Sequence, residues 1–270
     1  METEKKILET FHALANVLET YFGFERQVMA TASFKTGASG SKEIVTEVDK
    51  EVEEICIKFL SSFFPEIPVL AEEHYEKGNV LPNEGWVFII DPIDGTAEFS
   101  RGSHEWSISL SAVRNLKSSV GMLFMPQDNL RLSARRGEGV VCNGEVLIAR
   151  TQSGDIRKIA VSPRQIQIPE FKSKIQRSGL KPIPISTLTI KIVSILTGKV
   201  DAGIYFPQEG KSANIWDYAA AILLLEEFGG KMTSLDGSTM PFDGQRIIHR
   251  EGWLATNSSC DHDELLRRLQ

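Results

Sequence analysis

Residues 86–96 read WVFIIDPIDGT, in which an apolar run passes into two carboxylates, a glycine and a threonine. Five consecutive apolar residues are typical of a central β-strand that is buried on both faces. Asp91 follows this run directly, Pro92 turns the chain, and Asp94 comes three residues after Asp91. This spacing can direct two carboxylates and the carbonyl oxygen of Ile93 at one point, which suits a hard cation such as Mg²⁺.

Two interpretations of this segment stay open when it is taken alone. Gly95 and Thr96 offer backbone N–H groups at what reads as a short helix start, which suits a phosphate oxygen. The same Asp-Pro-x-Asp-Gly order is also a good turn sequence that needs no metal. A calcium loop of the EF-hand type fits less well, because its acidic third and fifth positions would be Ile93 and Gly95 here.

The first half of the chain predicts helices before this strand and antiparallel strands after it. Apolar residues at helical spacing predict helices over residues 2–22 and about 46–64, and Pro65 ends the second one. Residues 67–70 read as a short strand that leads into an acidic pair. Alternating apolar and polar residues over 105–150 predict antiparallel strands.

The pattern changes near residue 150. Strands and helices then alternate, which is typical of an α/β arrangement. The predicted elements are strands at 158–161, 183–185 and 202–206, and helices near 170–178, 189–196 and 217–229. We therefore expect a mixed α+β and α/β body with two closely packed halves, residues 1–150 and residues 151–270.

Composition excludes several classes of protein. Of the 270 residues, 41% are hydrophobic and 24% are charged, as in an ordinary globular protein. The net charge of −6 disfavours a nucleic-acid binder, which needs a basic surface. The longest apolar run, residues 218–225, is too short to span a bilayer. Because there is no signal peptide and no CxxC motif among three cysteines, we expect a cytoplasmic protein with reduced thiols and no membrane contact.

Three further acidic positions stand at the ends of predicted elements, and each has an ordinary structural explanation. Asp49 follows Thr46 in the first turn of a predicted helix, where a carboxylate suits the helix dipole. Asp217 can be the N-cap of the helix that follows it. Glu72 can be plain surface charge, which is the usual state of a glutamate.

Taken together and in this order, the clusters resemble the inositol monophosphatase superfamily of metal-dependent, lithium-sensitive phosphatases. The shared motifs are VTxxD ending at Asp49, the pair Glu72-Glu73, DPIDGT at 91–96 with Glu98-Phe99, and WD at 216–217 with Ala219-Ala220 and Gly229-Gly230. The resemblance covers essentially the whole chain. It implies the family fold, a layered α-β-α-β-α sandwich, and the hydrolysis of a phosphate monoester.

The resemblance also implies oxygen ligands for two or three Mg²⁺ ions. The first would be held by Glu72, Asp91, the Ile93 carbonyl and Thr96, the second by Asp91, Asp94 and Asp217, and a weaker third by Glu72 and waters. Carboxylates gathered in one cleft resist ionisation, and divalent cations reverse that cost. We therefore expect the metal ions to stabilise the fold as well as to serve the reaction.

The remaining catalytic assignments come from the same resemblance. Asp49 and Thr96 would form the pair that takes the proton from an attacking water. The backbone N–H groups of Gly95 and Thr96 would hold the phosphate. Two metal ions about 3.5–4 Å apart can activate the water and stabilise the leaving oxygen of such a reaction.

Within the superfamily, several details resemble the 3′(2′),5′-bisphosphate nucleotidase branch, whose members remove the 3′-phosphate of adenosine 3′,5′-bisphosphate. These details are residues 68–73, 96–99 and 214–217, and Lys191, a substrate-binding candidate seven residues before Gly198. Residues 187–189 read Thr-Leu-Thr where that branch usually has Gly-Ser-Ser. Inositol 1-phosphate is therefore kept as the alternative substrate.

Other expectations are less specific. Lys35 is the candidate for the family's mobile-loop lysine, and Lys42 is its alternative. The partner is expected to be a small phosphorylated metabolite, and the resemblance also allows a homodimer. An inactive metal-binding scaffold is the alternative from a different class, although a degenerate site would be expected to lose at least one of these acidic residues.

Overall fold

The computed structural model describes most of the chain. The described residues are 2–25, 32–36, 42–76, 78, 80–148, 158–209, 212–240, 242 and 247–269. The helices are α1 (Glu2–Glu25), α2 (Glu47–Phe63), α3 (Thr96–Phe99), α4 (Pro163–Ile166), α5 (Pro169–Arg177), α6 (Leu188–Leu196), α7 (Ile215–Glu227) and α8 (His262–Leu269). The strands are β1 (Ala32–Thr36), β2 (Lys42–Thr46), β3 (Val69–Ala71), β4 (Trp86–Asp94), β5 (Ser107–Arg114), β6 (Lys117–Met125), β7 (Leu130–Arg135), β8 (Val140–Cys142), β9 (Glu145–Val146), β10 (Lys158–Val161), β11 (Lys181–Pro184), β12 (Ala202–Tyr205), β13 (Ala213–Asn214), β14 (Lys231–Ser234), β15 (Ile248–His249) and β16 (Trp253–Thr256).

The first large sheet has the strand order β3-β4-β5-β6-β7-β8-β9. β3 runs parallel to β4, and the later neighbouring pairs are antiparallel. The antiparallel strands that the sequence predicts over 105–150 are therefore confirmed. β4 is the buried strand expected from the apolar run, but it continues to Asp94 instead of ending at Asp91.

The second large sheet has the order β11-β10-β12-β16-β14. β10 is parallel to both β11 and β12, whereas β16 is antiparallel to β12 and β14. The predicted alternation of strands and helices in this part of the chain is confirmed. The boundary expected near residue 150 falls in 149–157, outside the described residues, so the division into 1–150 and 151–270 stays a prediction.

Five layers stack from one side of the molecule to the other. α1 and α2 cover one face of the first sheet, around Phe11, Val52 and Phe88. α6 and α7 lie between the two sheets, and α7 contacts β4 to β7 on one side and β14 on the other. α5 and α8 cover the outer face of the second sheet, around Ile204 and Leu265. The predicted α-β-α-β-α arrangement is therefore confirmed.

Capping interactions explain where α2 and α7 begin. Thr46 is the N-cap of α2, and the carboxylate of Asp49 accepts a hydrogen bond from the Thr46 backbone N–H at 2.8 Å. In α7 the N-cap is Asn214, and its backbone N–H donates to Asp217 Oδ2 at 2.7 Å. The interpretation of Asp217 as an N-cap is therefore wrong, because the helix starts at Ile215 and Asp217 completes its first turn.

Two sequence expectations concern the chain as a whole. Within the part of the chain that the structure describes, no helix has both the length and the apolar character that a bilayer crossing requires. Cys56, Cys142 and Cys260 are free cysteines, and Cys56 is buried.

Candidate active site

An irregularity in β4 places two carboxylates together. Asp91 pairs with Ser109 of β5, and Asp94 pairs with Ser107, so β4 has one residue more than its partner over this interval. In a regular strand, residues three apart point to opposite faces, and one extra residue brings them to the same side. The bulge therefore directs Asp91 and Asp94 toward a common region, as the sequence analysis expects.

Glu72 reaches the same region through the register of β3. Ala71, the last residue of β3, pairs with Ile90 of β4, and the backbone N–H of Glu72 donates to the Ile90 carbonyl at 3.2 Å. The next residue of each strand is therefore Glu72 on one side and Asp91 on the other. Their carboxyl groups lie within hydrogen-bonding reach of each other. The interpretation of Glu72 as plain surface charge does not hold.

Asp217 is brought to the site by the N-terminal turn of α7. Ser109 of β5 donates from its Oγ to the carbonyl oxygen of Trp216 at 3.1 Å, which fixes this turn on the first sheet. Because Ser109 is also the partner of Asp91 in β4, the first turn of α7 lies beside that carboxylate. Asp217 is close enough to Asp91 to act on it electrostatically.

Asp91 is the centre of this carboxylate group. It is 1% exposed, and its Oδ1 atom is buried with no hydrogen-bond partner among the described residues. Burial, followed by the charges of Glu72, Asp94 and Asp217, raises the pKa of Asp91 well above its usual range. A buried carboxylate that faces three others is unfavourable without a cation.

The donor set fits a hard divalent cation. All the side chains that face Asp91 in this group carry carboxylate oxygens, which are the ligands that Mg²⁺ prefers. Within the described parts of the chain, no group of three or more His, Cys, Asp or Glu side chains is arranged so that it could hold a metal ion. The carboxylates near Asp91 therefore interact with one another without forming a complete metal-binding group.

Asp94 is held by α6. Its Oδ2 atom accepts hydrogen bonds from the backbone N–H of Thr189, at 3.0 Å, and from the Thr189 hydroxyl. Ser107 Oγ donates in turn to Thr189 Oγ1 at 2.7 Å. Burial raises the pKa of Asp94, while the two Thr189 bonds oppose that rise. Neither Thr189 nor Ser107 was given a role from the sequence, because Thr189 lies where the chain departs from the Gly-Ser-Ser pattern and Ser107 belongs to no recognised motif.

Thr96 and Asp49 form the predicted pair. Thr96 Oγ1 donates to Asp49 Oδ1 at 2.7 Å, and the Ile93 carbonyl oxygen lies 3.2 Å from the same hydroxyl. Asp49 is 1% exposed, and its other oxygen accepts hydrogen bonds from the backbone N–H and the hydroxyl of Thr46. The helix-cap interpretation of Asp49 is therefore confirmed through one carboxylate oxygen, and the other oxygen contacts Thr96, whereas the role of the pair in accepting a proton stays a prediction.

Gly95 is required by its position between Asp94 and α3. It is the N-cap of that short helix with a φ of 104°, a conformation that strongly favours glycine. A Cβ atom here would lie 2.7 Å from the carbonyl oxygen of Glu105 and 2.7 Å from Cγ2 of Thr187. The short helix start expected after Asp94 is present at Thr96.

The lysine candidates differ in what the structure describes. Lys191 is 1% exposed, and its Nζ donates to Ser162 Oγ at 2.8 Å and to the Ser186 carbonyl at 3.3 Å. Burial lowers the pKa of Lys191 to about 8. A direct contact between Lys191 and a substrate would require these bonds to open. The side chains of Lys35 and Lys42, and the residues 37–41 between their strands, lie outside the described part of the chain.

This arrangement suits one class of chemistry. Converging carboxylates can hold the metal ions that activate water and neutralise phosphate oxygens. A threonine hydroxyl bonded to a buried carboxylate provides a route for a proton. The fold and the site together define a metal-dependent phosphatase.

Comparison with known proteins identifies the family. A model of the inositol monophosphatase family matches residues 3–270. The fructose-1,6-bisphosphatase/inositol-1-monophosphatase of Thermotoga maritima is 27% identical over 231 residues, which cover 85% of this chain and 83% of that protein. The inositol-1-monophosphatase of Bacillus subtilis is 27% identical over 212 residues, which cover 76% and 77% of the two chains. The chain belongs to the inositol monophosphatase family.

Solved structures show the same fold. The crystal structure of an IMPase/NADP phosphatase complexed with Mg²⁺ and phosphate matches with a TM-score of 0.82 and 21% identity, covering 99% of this chain and 96% of that chain. The structure of an inositol monophosphatase of Thermotoga maritima matches with a TM-score of 0.74 and 24% identity, covering 100% and 97%.

Family membership confirms the class that the sequence predicts. The chain is a phosphoric monoester hydrolase of a Mg²⁺-dependent family. These relatives give no support to the preference for the bisphosphate nucleotidase branch, which stays a prediction.

Proposed function

We propose that this protein hydrolyses the phosphate monoester of a small polyol, with inositol 1-phosphate as the first candidate substrate, in a Mg²⁺-dependent reaction. The main observation behind the proposal is the buried, acidic environment of the Asp91 carboxylate. Its carboxylate is buried, one of its oxygens has no partner among the described residues, and three further carboxylates act on it. Relatives named inositol monophosphatases support inositol 1-phosphate as the first candidate.

The residues that would hold the metal ions come from three separate segments, namely Glu72, residues 91–96 and Asp217. The first ion would bind Glu72, Asp91, the carbonyl of Ile93 and Thr96; the second would bind Asp91, Asp94 and Asp217; a weaker third would rest on Glu72. When bound, Mg²⁺ lowers the pKa of water and neutralises the phosphate oxygens. We expect two or three ions, because Glu72 and Asp91 each have two oxygens to share.

The proton of the attacking water would pass to the Thr96–Asp49 pair. Thr96 Oγ1 already donates its hydrogen to Asp49 Oδ1, so its lone pairs are available to accept from a water. Asp49 is the base in this arrangement, and the capping bonds from Thr46 hold its carboxylate in place. The pair therefore serves to orient the nucleophile and to receive its proton.

The phosphate would bind beside the same residues. The positive φ of Gly95 turns the backbone so that α3 starts directly after Asp94. Backbone N–H groups at this start, those of Gly95 and Thr96, suit phosphate oxygens. Lys191 lies behind Asp94, where its charge acts on that carboxylate, and its predicted role in substrate binding stays a prediction.

A second candidate substrate is adenosine 3′,5′-bisphosphate. The Asn-Ile-Trp-Asp sequence at 214–217 and Lys191 resemble the bisphosphate nucleotidase branch. Two phosphates on one ribose would place more negative charge at the site than inositol 1-phosphate does. The mobile-loop lysine, Lys35 or Lys42, is the natural counter-charge and stays a prediction, as do the homodimer and the cytoplasmic location.

A phosphate-release panel tests the proposal. The purified protein is assayed with Mg²⁺ against inositol 1-phosphate, adenosine 3′,5′-bisphosphate, fructose 1,6-bisphosphate and histidinol phosphate. The highest kcat/KM is expected for inositol 1-phosphate. A clear preference for adenosine 3′,5′-bisphosphate would support the second candidate. Failure to release phosphate from any of the four, with and without Mg²⁺, would favour the inactive scaffold.

A further inference from the structure

A buried carboxylate on α2 contacts the segment that follows Glu72. Glu53 is 0% exposed, although glutamate is rarely buried without partners. Its Oε2 atom accepts a hydrogen bond from the backbone N–H of Glu73 at 2.7 Å. Its Oε1 atom forms a short hydrogen bond with Nδ1 of His74. Both partners come directly after Glu72 in the chain, so Glu53 holds the backbone that leaves this residue.

These contacts fix the direction of Glu72. The N–H on one side of Glu72 donates to the Ile90 carbonyl at 3.2 Å, and the peptide group on the other side is the one that Glu53 holds. The Glu72 carbonyl also accepts from the N–H of Tyr75 at 3.3 Å. Because the flanking peptide groups are held, the side chain of Glu72 leaves the backbone in a set direction toward Asp91.

Glu53 and Asp49 belong to the same face of α2. They are four residues apart, so they lie roughly one helical turn from each other. Asp49 contacts the hydroxyl of Thr96, whereas Glu53 contacts the backbone after Glu72. One rigid helix therefore fixes the distance between the group that receives the water proton and a carboxylate that would bind the metal.

We propose that Glu53 is a positioning residue for catalysis, which orients the carboxylate of Glu72 for Mg²⁺ through the backbone of Glu73 and the ring of His74. The inference rests on the proposed function, since it assigns Glu53 a part in the same site. Groups that orient metal ligands from behind typically change metal affinity tenfold to a hundredfold when they are removed.

A role in packing alone explains Glu53 poorly. Its neighbours on the buried face of α2 include Val52, Cys56 and Leu60, which are apolar. An apolar residue of similar size would fill this space without the desolvation of a carboxylate. The carboxylate is explained by the two hydrogen bonds that it makes to the segment after Glu72.

Three variants of Glu53 separate the contributions of its hydrogen bonds, its charge and its length. Glu53→Met keeps the length of the side chain and removes both acceptors. Glu53→Gln keeps an acceptor for Glu73, and its amide N–H can donate to Nδ1 of His74. Glu53→Asp keeps the charge but shortens the reach by one methylene. The matched control is Glu54→Met on the same helix. Glu54 is exposed, it forms its ion pair with Lys58, and it acts on His74 through its charge alone, so the control removes a nearby charge without removing either hydrogen bond of Glu53.

The readouts are the Mg²⁺ concentration for half-maximal activity, kcat at saturating Mg²⁺, KM, the thermal midpoint and Mg²⁺ binding by calorimetry. Glu53→Met is expected to raise the half-maximal Mg²⁺ concentration at least tenfold, with KM unchanged within about threefold. Glu53→Gln should stay within about threefold of the wild type. The control should match the wild type in its response to Mg²⁺.

The proposal is overturned if Glu53→Met lowers the thermal midpoint but leaves the Mg²⁺ response within threefold of the wild type. If Glu53→Met fails to fold, Glu53→Asp carries the same test, with a rise of at least threefold expected and no change contradicting the proposal. If the wild type releases no phosphate, the proposed function fails. Calorimetry of Mg²⁺ with these variants then still decides whether Glu53 orients Glu72.

Discussion

Replacing Asp91 with asparagine should stabilise the metal-free protein while it abolishes turnover. The carboxylate is buried, its Oδ1 has no partner among the described residues, and three other carboxylates face it. A buried acceptor without a partner costs about 1–3 kcal/mol, and more when it is charged. Asparagine keeps a buried oxygen here but removes the charge and its repulsion from three carboxylates, and a buried ionised group costs several kcal/mol. The free energy of unfolding should therefore rise by about 1–3 kcal/mol, which corresponds to about 2–12 °C in a chain of roughly this size.

Saturating Mg²⁺ should make the wild type more stable than Asp91→Asn. A ligand at a hundred times its Kd stabilises the folded state by about 2.7 kcal/mol, or about 5–11 °C here. The wild type should gain this shift, and Asp91→Asn should lose most of it because both proposed ions share Asp91. Thermal unfolding of both proteins in EDTA measures the metal-free stability, and a Mg²⁺ titration measures the stabilisation by metal. Phosphate release measures turnover. A lower midpoint for the variant in EDTA, or an equal Mg²⁺ shift in both proteins, would refute the reasoning.

The same variant makes a prediction about pH. The folded state raises the pKa of Asp91, mainly through burial and then through its acidic neighbours. The folded protein therefore binds this proton more readily than the unfolded chain does, and the group destabilises the fold when it is ionised. Relative to Asp91→Asn, the metal-free wild type should gain stability as the pH falls toward the ordinary pKa of an aspartate. Parallel curves for the two proteins would contradict this.

Three further outcomes are expected. Gly95→Ala should lower the free energy of unfolding by about 2–4 kcal/mol in denaturant titrations, because of the φ of 104° and the 2.7 Å approaches of a Cβ, and a neutral result would contradict this. Thr96→Val should lower kcat by about 10²–10⁴ with little change in KM, because it removes the hydroxyl bonded to Asp49, and an unchanged kcat would exclude the proton route. Burial lowers the pKa of His262 to about 4, so the free energy of unfolding should decrease as the pH falls from about 6.5 to 4. The denaturant midpoint of His262→Gln should depend less on pH over this range than that of the wild type. An equal dependence in the two proteins would exclude His262 as the cause.

The apolar run and its motif predicted the centre of the fold correctly, but not the bulge in β4. A buried strand was expected to end at Asp91, whereas it continues to Asp94 because Ser109 and Ser107 of β5 pair with the two aspartates. A bulge depends on the register with a partner strand, and register is set by residues that are distant in the sequence. The spacing of Asp91 and Asp94 in the sequence showed that the two carboxylates could converge. The pairing of β4 with β5 shows that a bulge brings them to the same side of the strand.

Asp49 shows why the two explanations of a residue need not compete. Its position after Thr46 predicted a helix cap, and the family resemblance predicted a contact with Thr96. The structure contains both, since a carboxylate has two oxygens and each takes a different partner. Local sequence describes the capping bond, but the bond to Thr96 joins segments 47 residues apart.

Glu53 and Thr189 could not be recognised from the sequence. Glu53 reads as an ordinary charged residue in an amphipathic helix, and only the contacts of α2 with the segment that follows β3 show that it is buried. Thr189 lies in the segment that departs from the bisphosphate nucleotidase pattern, and its two bonds to Asp94 depend on where α6 begins. Contacts between elements, rather than motifs, identify both residues.

The central claim is that carboxylates from β4, the segment after β3 and the first turn of α7 form one magnesium site. Anomalous diffraction from crystals soaked in Mn²⁺, a scattering substitute for Mg²⁺, tests it directly. We predict at least one anomalous peak within about 2.0–2.6 Å of a carboxylate oxygen of Asp91 and in contact with Glu72 or Asp217. Well-ordered crystals with these side chains visible and no anomalous peak among them would contradict the account.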